Sequence, residues 1–160
     1  MGIHILYVED SAGDAAMMRT ALAEVAPDFT LTVQSEALQA ISWLAKADRG
    51  EFDLPDLILT DIGLPVMSGL QLLWVLKDTQ LWRPIPVLMF SASKRSEERE
   101  QSMRFGAAGY LVKPARYPEL LALVRRLVDE VRSGALGRLS GDDDDSSSDS
   151  DRTKVLPVLR

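Results

Sequence analysis

Five short apolar runs alternating with five amphipathic stretches predict an α/β fold: an open parallel sheet with helices on both faces. Three observations carry this. The runs at 3–8, 56–61 and 86–91 are nearly continuous in apolar residues, as expected of strands covered on both sides. The stretches between runs space their apolar residues by three and four. The alternation is also strict over about 130 residues, which demands crossover connections and hence parallel strands.

Taken in order, the first strand is "IHILYV" (3–8), followed by a helix over 14–25 with Ala15, Met18, Leu22 and Val25 along one stripe. The second pair is "FTLTVQS" (29–35) and the helix "ALQAISWLAKA" (37–47). The third is "DLILTD" (56–61) and "GLQLLWVLKDT" (69–79), with Ser68 placed to cap that helix. The fourth is "PVLMFS" (86–91) and "SEEREQSMRFG" (96–106), where Gly106 fits a helix stop. The fifth is "GYLVK" (109–113) and "PELLALVRRLVDEVR" (118–132), with Pro118 in a first-turn position. The economical arrangement is flavodoxin-like, (βα)5 with strand order 2-1-3-4-5. Met17, Met18, Met89, Met103, Trp43 and Trp74 fall at core spacing. Trp82, in the connection before Pro84, is expected at the surface.

The chain has 160 residues, 46% of them hydrophobic, enough for one domain with its own core. Residues 1–133 are assigned to that domain. Residues 134–160 are read as a disordered acidic tail, because "GDDDDSSSDSD" (141–151) has no apolar residue to offset its ordering entropy. The net charge of −6 argues against a nucleic-acid binder. No apolar run approaches the ~18–20 residues of a membrane span, no signal peptide is evident at the N-terminus, and cysteine is absent. A cytoplasmic location is therefore expected.

In open parallel sheets, ligands bind beyond the carboxyl ends of the strands. The first strand runs into Glu9 and Asp10, and the third ends on Asp61. With those strands adjacent, about 4.8 Å apart, three carboxylates gather. Their repulsion calls for a proton or a cation. An all-oxygen set without His or Cys favours Mg²⁺. The fourth strand ends at Ser91, and the fifth delivers Lys113 ahead of Pro114. A carboxylate nucleophile, a metal seat, a hydroxyl and a fixed positive charge are what phosphoryl transfer to a carboxylate requires. The single histidine, His4, sits six residues before Asp10 along a strand, too far to serve as ligand or base there. It also sits inside a strand, not on an exposed helix face, so a phosphoryl donor must come from elsewhere, most simply a partner kinase.

The arrangement resembles the receiver domain of two-component response regulators over about residues 3–132. The resemblance implies that Asp61, in "LTDIGLPVMSG", is the phosphoacceptor. It implies that Asp10 contacts Mg²⁺ directly, Glu9 mostly through water, and Gly63 through its backbone carbonyl. Ser91 matches the hydroxyl that binds the phosphoryl group, and Ala92 the small residue after it. Tyr110 matches the aromatic switch, and Lys113-Pro114 the lysine followed by a cis proline. Gly63 is expected to permit an unusual backbone geometry, with Pro65 stiffening the turn. Ser68 stands where the family often carries Asp. Gly63 stands where a bulkier side chain is common, and its absence is expected to ease water attack and shorten the phosphoaspartate's life.

The stretches "VEDSAGDAAMMRTAL", "AKADRGEFDLPD" and "LKDTQLWRPIPVLMFSAS" look like the small single-domain regulators paired with bacterial phytochrome histidine kinases. The implied partner is a sensor histidine kinase, of bacteriophytochrome type. Output is expected through protein–protein contact, with a phosphate sink or an intermediate relay receiver as alternatives. In receivers the face of the fourth helix, fifth strand and fifth helix forms dimers. Val124, Leu127, Val128 and Val131 are expected to leave surplus apolar surface there. The chain is read as no enzyme beyond its own phosphorylation and dephosphorylation. A haloacid-dehalogenase-type phosphatase would place a second Asp two residues after the nucleophile, where Gly63 stands. A pseudo-receiver would lack one of the acidic residues.

Overall fold

The computed structural model describes residues 2–134. The acidic stretch 141–151 and the rest of the expected tail beyond Gly134 lie outside the described residues. Five strands, β1 (His4–Val8), β2 (Thr30–Gln34), β3 (Leu57–Thr60), β4 (Val87–Ser91) and β5 (Gly109–Val112), form one sheet in the order 2-1-3-4-5. Every pairing is parallel. Five helices alternate with them: α1 (Ala12–Val25), α2 (Ala37–Asp48), α3 (Gly69–Asp78), α4 (Ser96–Arg104) and α5 (Tyr117–Ser133).

Local chemistry sets the helix ends. Ser11 accepts the Asp14 N–H and starts α1 two residues earlier than the apolar stripe alone predicts. Ser68 and Gln71 form a reciprocal capping box at α3. Pro118 sits in the first turn of α5, and Gly134, with φ 75°, closes it in the left-handed region. α4 ends at Arg104, and Gly106 follows with φ 97°.

Side-chain alternation sorts the core into two halves. Ile5, Tyr7, Leu57, Leu59, Leu88, Phe90 and Leu111 pack under α1 and α5 with Met18, Leu22, Leu120, Val124, Leu127 and Val128. Leu6, Val8, Ile58, Val87, Met89 and Tyr110 face the other way, against Leu44, Leu72, Leu73 and Leu76 of α2 and α3. β3 and β4 are buried along their whole length, which is why they read as unbroken apolar runs.

Three expectations are corrected here. Val124, Leu127 and Val128 are 1–2% exposed and Val131 packs on the same cluster, so the apolar stripe of α5 is absorbed by its own core. Met103 is 43% exposed, not core. Trp82 is buried, and its indole N–H donates to both carboxylate oxygens of Asp48, at 3.1 and 2.9 Å. A carboxylate partner contributed by the end of α2 lets the polar edge of the ring go inside. Among the described residues no helix is long and apolar enough to cross a membrane.

Candidate functional site at the carboxyl edge of the sheet

Alternation also decides which side of the sheet edge each strand-end residue inherits. Tyr7, Leu59 and Leu111 point into the half-core under α1 and α5. The next residues of the same parity are Glu9, Asp61 and Lys113. Register brings them level: Val8 pairs with Thr60, and the Asp61 N–H donates to the Val8 carbonyl at 3.1 Å. On the far side, Ser91 pairs with Val112 and its carbonyl accepts the Lys113 N–H at 2.8 Å.

The Lys113 ammonium is the hub. Its Nζ donates to Glu9 Oε2 at 2.6 Å, to Asp61 Oδ2 at 2.9 Å and to Asp14 Oδ2 at 2.9 Å. These three bonds use all three of its donors. Its Nζ also lies over the Phe90 ring, 5.9 Å from the centroid. Burial pushes the ammonium's pKa down, but the hydrogen bonds it donates to Glu9, Asp14 and Asp61 outweigh it, and the net displacement is upward.

Glu9 is 2% exposed. Its Oε1 accepts the Ser11 N–H at 3.0 Å, and its Oε2 accepts the Tyr7 hydroxyl at 3.2 Å beside the lysine. Burial raises the Glu9 carboxyl above the usual carboxylate range, against the pull of Lys113 and the Ser11 N–H. The Tyr7 phenol, displaced upward first by burial and then by the Glu9 charge, remains a donor. Asp61 is oriented from its own loop: Oδ1 accepts the Ile62 N–H at 2.7 Å and the Gly63 N–H at 3.4 Å. Asp10 is exposed and completes a group with Glu9 and Asp61 whose ligand oxygens all lie within 4.8 Å of one another. Two partly or wholly accessible carboxylates beside a buried one, with no softer donor, suit a hard divalent cation.

The remaining sequence-predicted residues divide between the two faces. Ser91 is buried, and its Oγ accepts the Ser93 N–H at 3.2 Å. Ala92 is exposed beside it. Tyr110 lies on the opposite face of the sheet from Lys113, its ring buried and its hydroxyl donating to the Ser93 carbonyl at 2.8 Å. Ser93 thus joins Ser91 to Tyr110 through its two backbone groups. Pro114 follows Lys113 as expected, but the bond between them is trans, the ordinary favoured isomer, and no described peptide bond is cis.

The loop after Asp61 differs from expectation. Gly63 is not in the left-handed region; it is the middle residue of a tight turn closed by the Leu64 N–H on the Ile62 carbonyl at 2.9 Å. A Cβ added at Gly63 meets nothing within 4 Å. The unusual backbone belongs to Val66, with φ 66°, where the Met67 N–H closes a second three-residue turn onto the Pro65 carbonyl at 2.8 Å. Val66 is 83% exposed, so its branched side chain finds room where its backbone does not favour it.

Two site residues escaped the sequence reading. Asp14 arrives from the first turn of α1, and the only cue was its place three residues after the capping Ser11. Gly69, first residue of α3, donates to the Ile62 carbonyl at 2.8 Å and presses against the phosphoacceptor candidate's backbone. A Cβ there would sit 1.8 Å from the Asp61 carbonyl oxygen. A glycine directly after an N-cap was the available signal.

A doubly wound parallel sheet with a buried acid–lysine cluster at its carboxyl edge, where such sheets place their ligand sites, defines the class of the protein as α/β. The model of the response regulator receiver domain matches residues 5–125, and the chain belongs to that family. It is 28% identical over 121 residues to the two-component response regulator ORR1 of Oryza sativa, covering 74% of this chain and 52% of the relative. The chain therefore spans about half the length of that curated relative. The phosphorylated cyanobacterial phytochrome response regulator RcpA is similar in structure, with TM-score 0.77 and 25% identity over 84% of this chain and 97% of RcpA. The Mn(2+)-bound form of response regulator Rcp1 is also similar, with TM-score 0.71 and 26% identity over 78% and 91% of the two chains.

Proposed function

We propose that this receiver accepts a phosphoryl group on Asp61 from the phosphohistidine of a sensor histidine kinase, in a reaction that requires Mg²⁺. The observation that carries the reading is the Lys113 ammonium held between Asp61 and Glu9 at hydrogen-bond distance, beside the Glu9–Asp10–Asp61 oxygen group. An Asp61 carboxylate oxygen attacks phosphorus, the P–N bond to the kinase imidazole breaks, and the imidazole leaves carrying the bonding pair. The Ile62 and Gly63 N–H groups fix the carboxylate for in-line approach. Lys113 offsets charge on the transferring oxygens. Glu9, Asp10, Asp61 and the Gly63 carbonyl would hold Mg²⁺, which when bound would neutralise the phosphoryl oxygens further.

The new group adds about −1.5 to −2 of charge. Ser91 exchanges its Ser93 N–H for a phosphoryl oxygen, and the Ser93 carbonyl, which anchors the Tyr110 hydroxyl, moves with it. Tyr110 is thereby biased between two placements, and a partner reads the difference. A bacteriophytochrome-type kinase is the favoured donor, supported by the likeness to RcpA. A second copy of the chain is a candidate partner for the α4–β5–α5 face, where Met103 and Val112 are exposed. Concentration-dependent light scattering tests that pairing. The chain catalyses nothing beyond its own phosphorylation and dephosphorylation.

The test is incubation with Mg²⁺ and acetyl phosphate. Acid-stable, hydroxylamine-labile label on Asp61, lost in Asp61→Asn, is the expected result. Label that accumulates undiminished in Asp61→Asn refutes the assignment, and sustained turnover of a phosphomonoester would make the protein a phosphatase instead. Phosphotransfer profiling against histidine kinases identifies the donor.

A further inference from the structure

Lys113 has three carboxylate partners, and they are not equivalent. Glu9 and Asp61 belong to the oxygen group that can hold a cation; Asp14 does not. A cation drawn in by Glu9 and Asp61 competes with the ammonium for the same two carboxylates. Phosphorylation then converts the Asp61 carboxylate into an acyl phosphate, ending that carboxylate's ion pair with the lysine and leaving the ammonium to face the phosphoryl oxygens. Two of the three anchors are therefore withdrawn by the steps the lysine must assist. Asp14 Oδ2, 2.9 Å from Nζ, is the anchor that no step removes.

The placement of Asp14 supports that role. It comes from α1, the helix covering the same side of the edge, and its backbone N–H is fixed by Ser11 Oγ at 3.2 Å. Ser11 in turn donates its own N–H to Glu9 Oε1 at 3.0 Å. One turn of helix thus ties Glu9, Ser11, Asp14 and Lys113 into a closed loop of hydrogen bonds. The Asp14 carboxylate is 44% exposed against 1% for Glu9, so it can hold the ammonium without a buried charge of its own to satisfy.

We infer that Asp14 is a positioning residue: it keeps the Lys113 ammonium at the phosphoryl-binding edge while the cation and the phosphoryl group take Glu9 and Asp61 away from it. The inference rests on the reading of Asp61 as phosphoacceptor. Asp14 touches neither the cation group nor the reacting atoms. Its loss leaves metal affinity nearly unchanged and slows the chemical step, because the ammonium swings out of register.

The experiment compares wild type, Asp14→Ala and Asp14→Glu in three measurements. The first follows the ¹⁵N–¹H signal of the Lys113 ammonium, assigned with Lys113→Arg, with saturating Mg²⁺ and no phosphodonor. A resolved signal in wild type that broadens or vanishes in Asp14→Ala is expected, and an unchanged signal overturns the inference. The second is Mg²⁺ titration by calorimetry, where a Kd within about twofold of wild type is expected, since one exposed charge outside the ligand group is screened by solvent. A loss of binding would make Asp14 a metal-site residue and overturn the inference. The third is the initial rate of labelling by acetyl phosphate at saturating Mg²⁺. Loss of one charge-assisted hydrogen bond predicts a fall of about tenfold in Asp14→Ala, with Asp14→Glu recovering part of it. A rate within twofold of wild type overturns the inference. If wild type itself takes no label, the phosphoacceptor reading fails instead, and the ammonium signal still decides whether Asp14 holds Lys113.

Discussion

Replacing Gly69 by alanine should damage the site more than removing many of its polar groups. The added Cβ would stand 1.8 Å from the Asp61 carbonyl oxygen, 2.7 Å from its carbonyl carbon and 2.9 Å from Ile62 Cα. All three are backbone atoms, and no side chain can rotate away. The loop must open by about 1.2 Å before even the tightest carbon–oxygen contact is tolerable. Alanine gains about 1 kcal/mol of helix propensity in a helix interior, less at a first position. Overpacking costs about 1–3 kcal/mol, so the net is destabilisation of about 1–2 kcal/mol. The functional loss is larger, because a displacement of about 1 Å in a reacting group lowers rates by about 10²-fold. Gly63→Ala is the control: it lies closer to Asp61 in sequence than Gly69 does, yet its Cβ would enter open space. Urea unfolding and the labelling rate with acetyl phosphate are measured on both variants. Gly69→Ala labelling within threefold of wild type, or Gly63→Ala destabilised as much as Gly69→Ala, would refute the steric argument.

Three further outcomes follow from the same structure. Gly63→Met and Gly63→Glu should fold as wild type and lose their phosphoryl label several-fold more slowly, because the new side chain occupies the open approach to Asp61; an unchanged half-life would count against this. Trp82→Phe should lower stability by about 1.5–3 kcal/mol in urea unfolding, the worth of a hydrogen bond to a charged partner, here the indole N–H on Asp48. His4 has its pKa lowered, by burial and against the charges of Asp56 and Asp53. Between that lowered value and the ordinary 6.5 the unfolded chain binds more protons than the folded one, so stability falls as pH drops below about 6.5. The single His Cε1–H resonance should titrate below 6.5, and His4→Gln should remove that part of the pH dependence; a midpoint at or above 6.5 would contradict the burial argument.

The strand ends were legible in the sequence because two independent signals coincide there: an apolar run stops and a charged or hydroxyl-bearing residue begins. That is why Glu9, Asp61, Ser91 and Lys113 emerge from residue patterns alone, and why α5 was placed to within a residue at either end. The phase of a helix against its sheet is a different matter. Spacing of three and four says which face of α1 is buried, but not how far the helix is rotated or slid along the edge, and Asp14 reaches Lys113 only through that placement. Trp82 was misplaced for a related reason: its partner Asp48 is 34 residues away, and a tryptophan in a proline-bounded connection carries no mark of a distant carboxylate. At Val66 propensity points the wrong way, since a branched residue adopts the backbone that Gly63 was expected to take.

The position of the lysine explains why it is a lysine. β5 is separated from β3 by β4, and from β1 by two strands, at about 4.8 Å per step. A cation delivered from that edge strand needs a long stem to approach Asp61 and Glu9, and its Nζ comes to lie over the Phe90 ring. Its three hydrogen bonds converge on one nitrogen from three different elements: Glu9 after β1, Asp14 on α1 and Asp61 after β3. A compact ammonium with three rotatable donors can serve such a convergence, whereas the planar fork of arginine spreads its donors over several atoms. The site therefore depends on a point charge at the meeting place of three separately positioned carboxylates, and an arginine at 113 would keep the charge while losing the geometry.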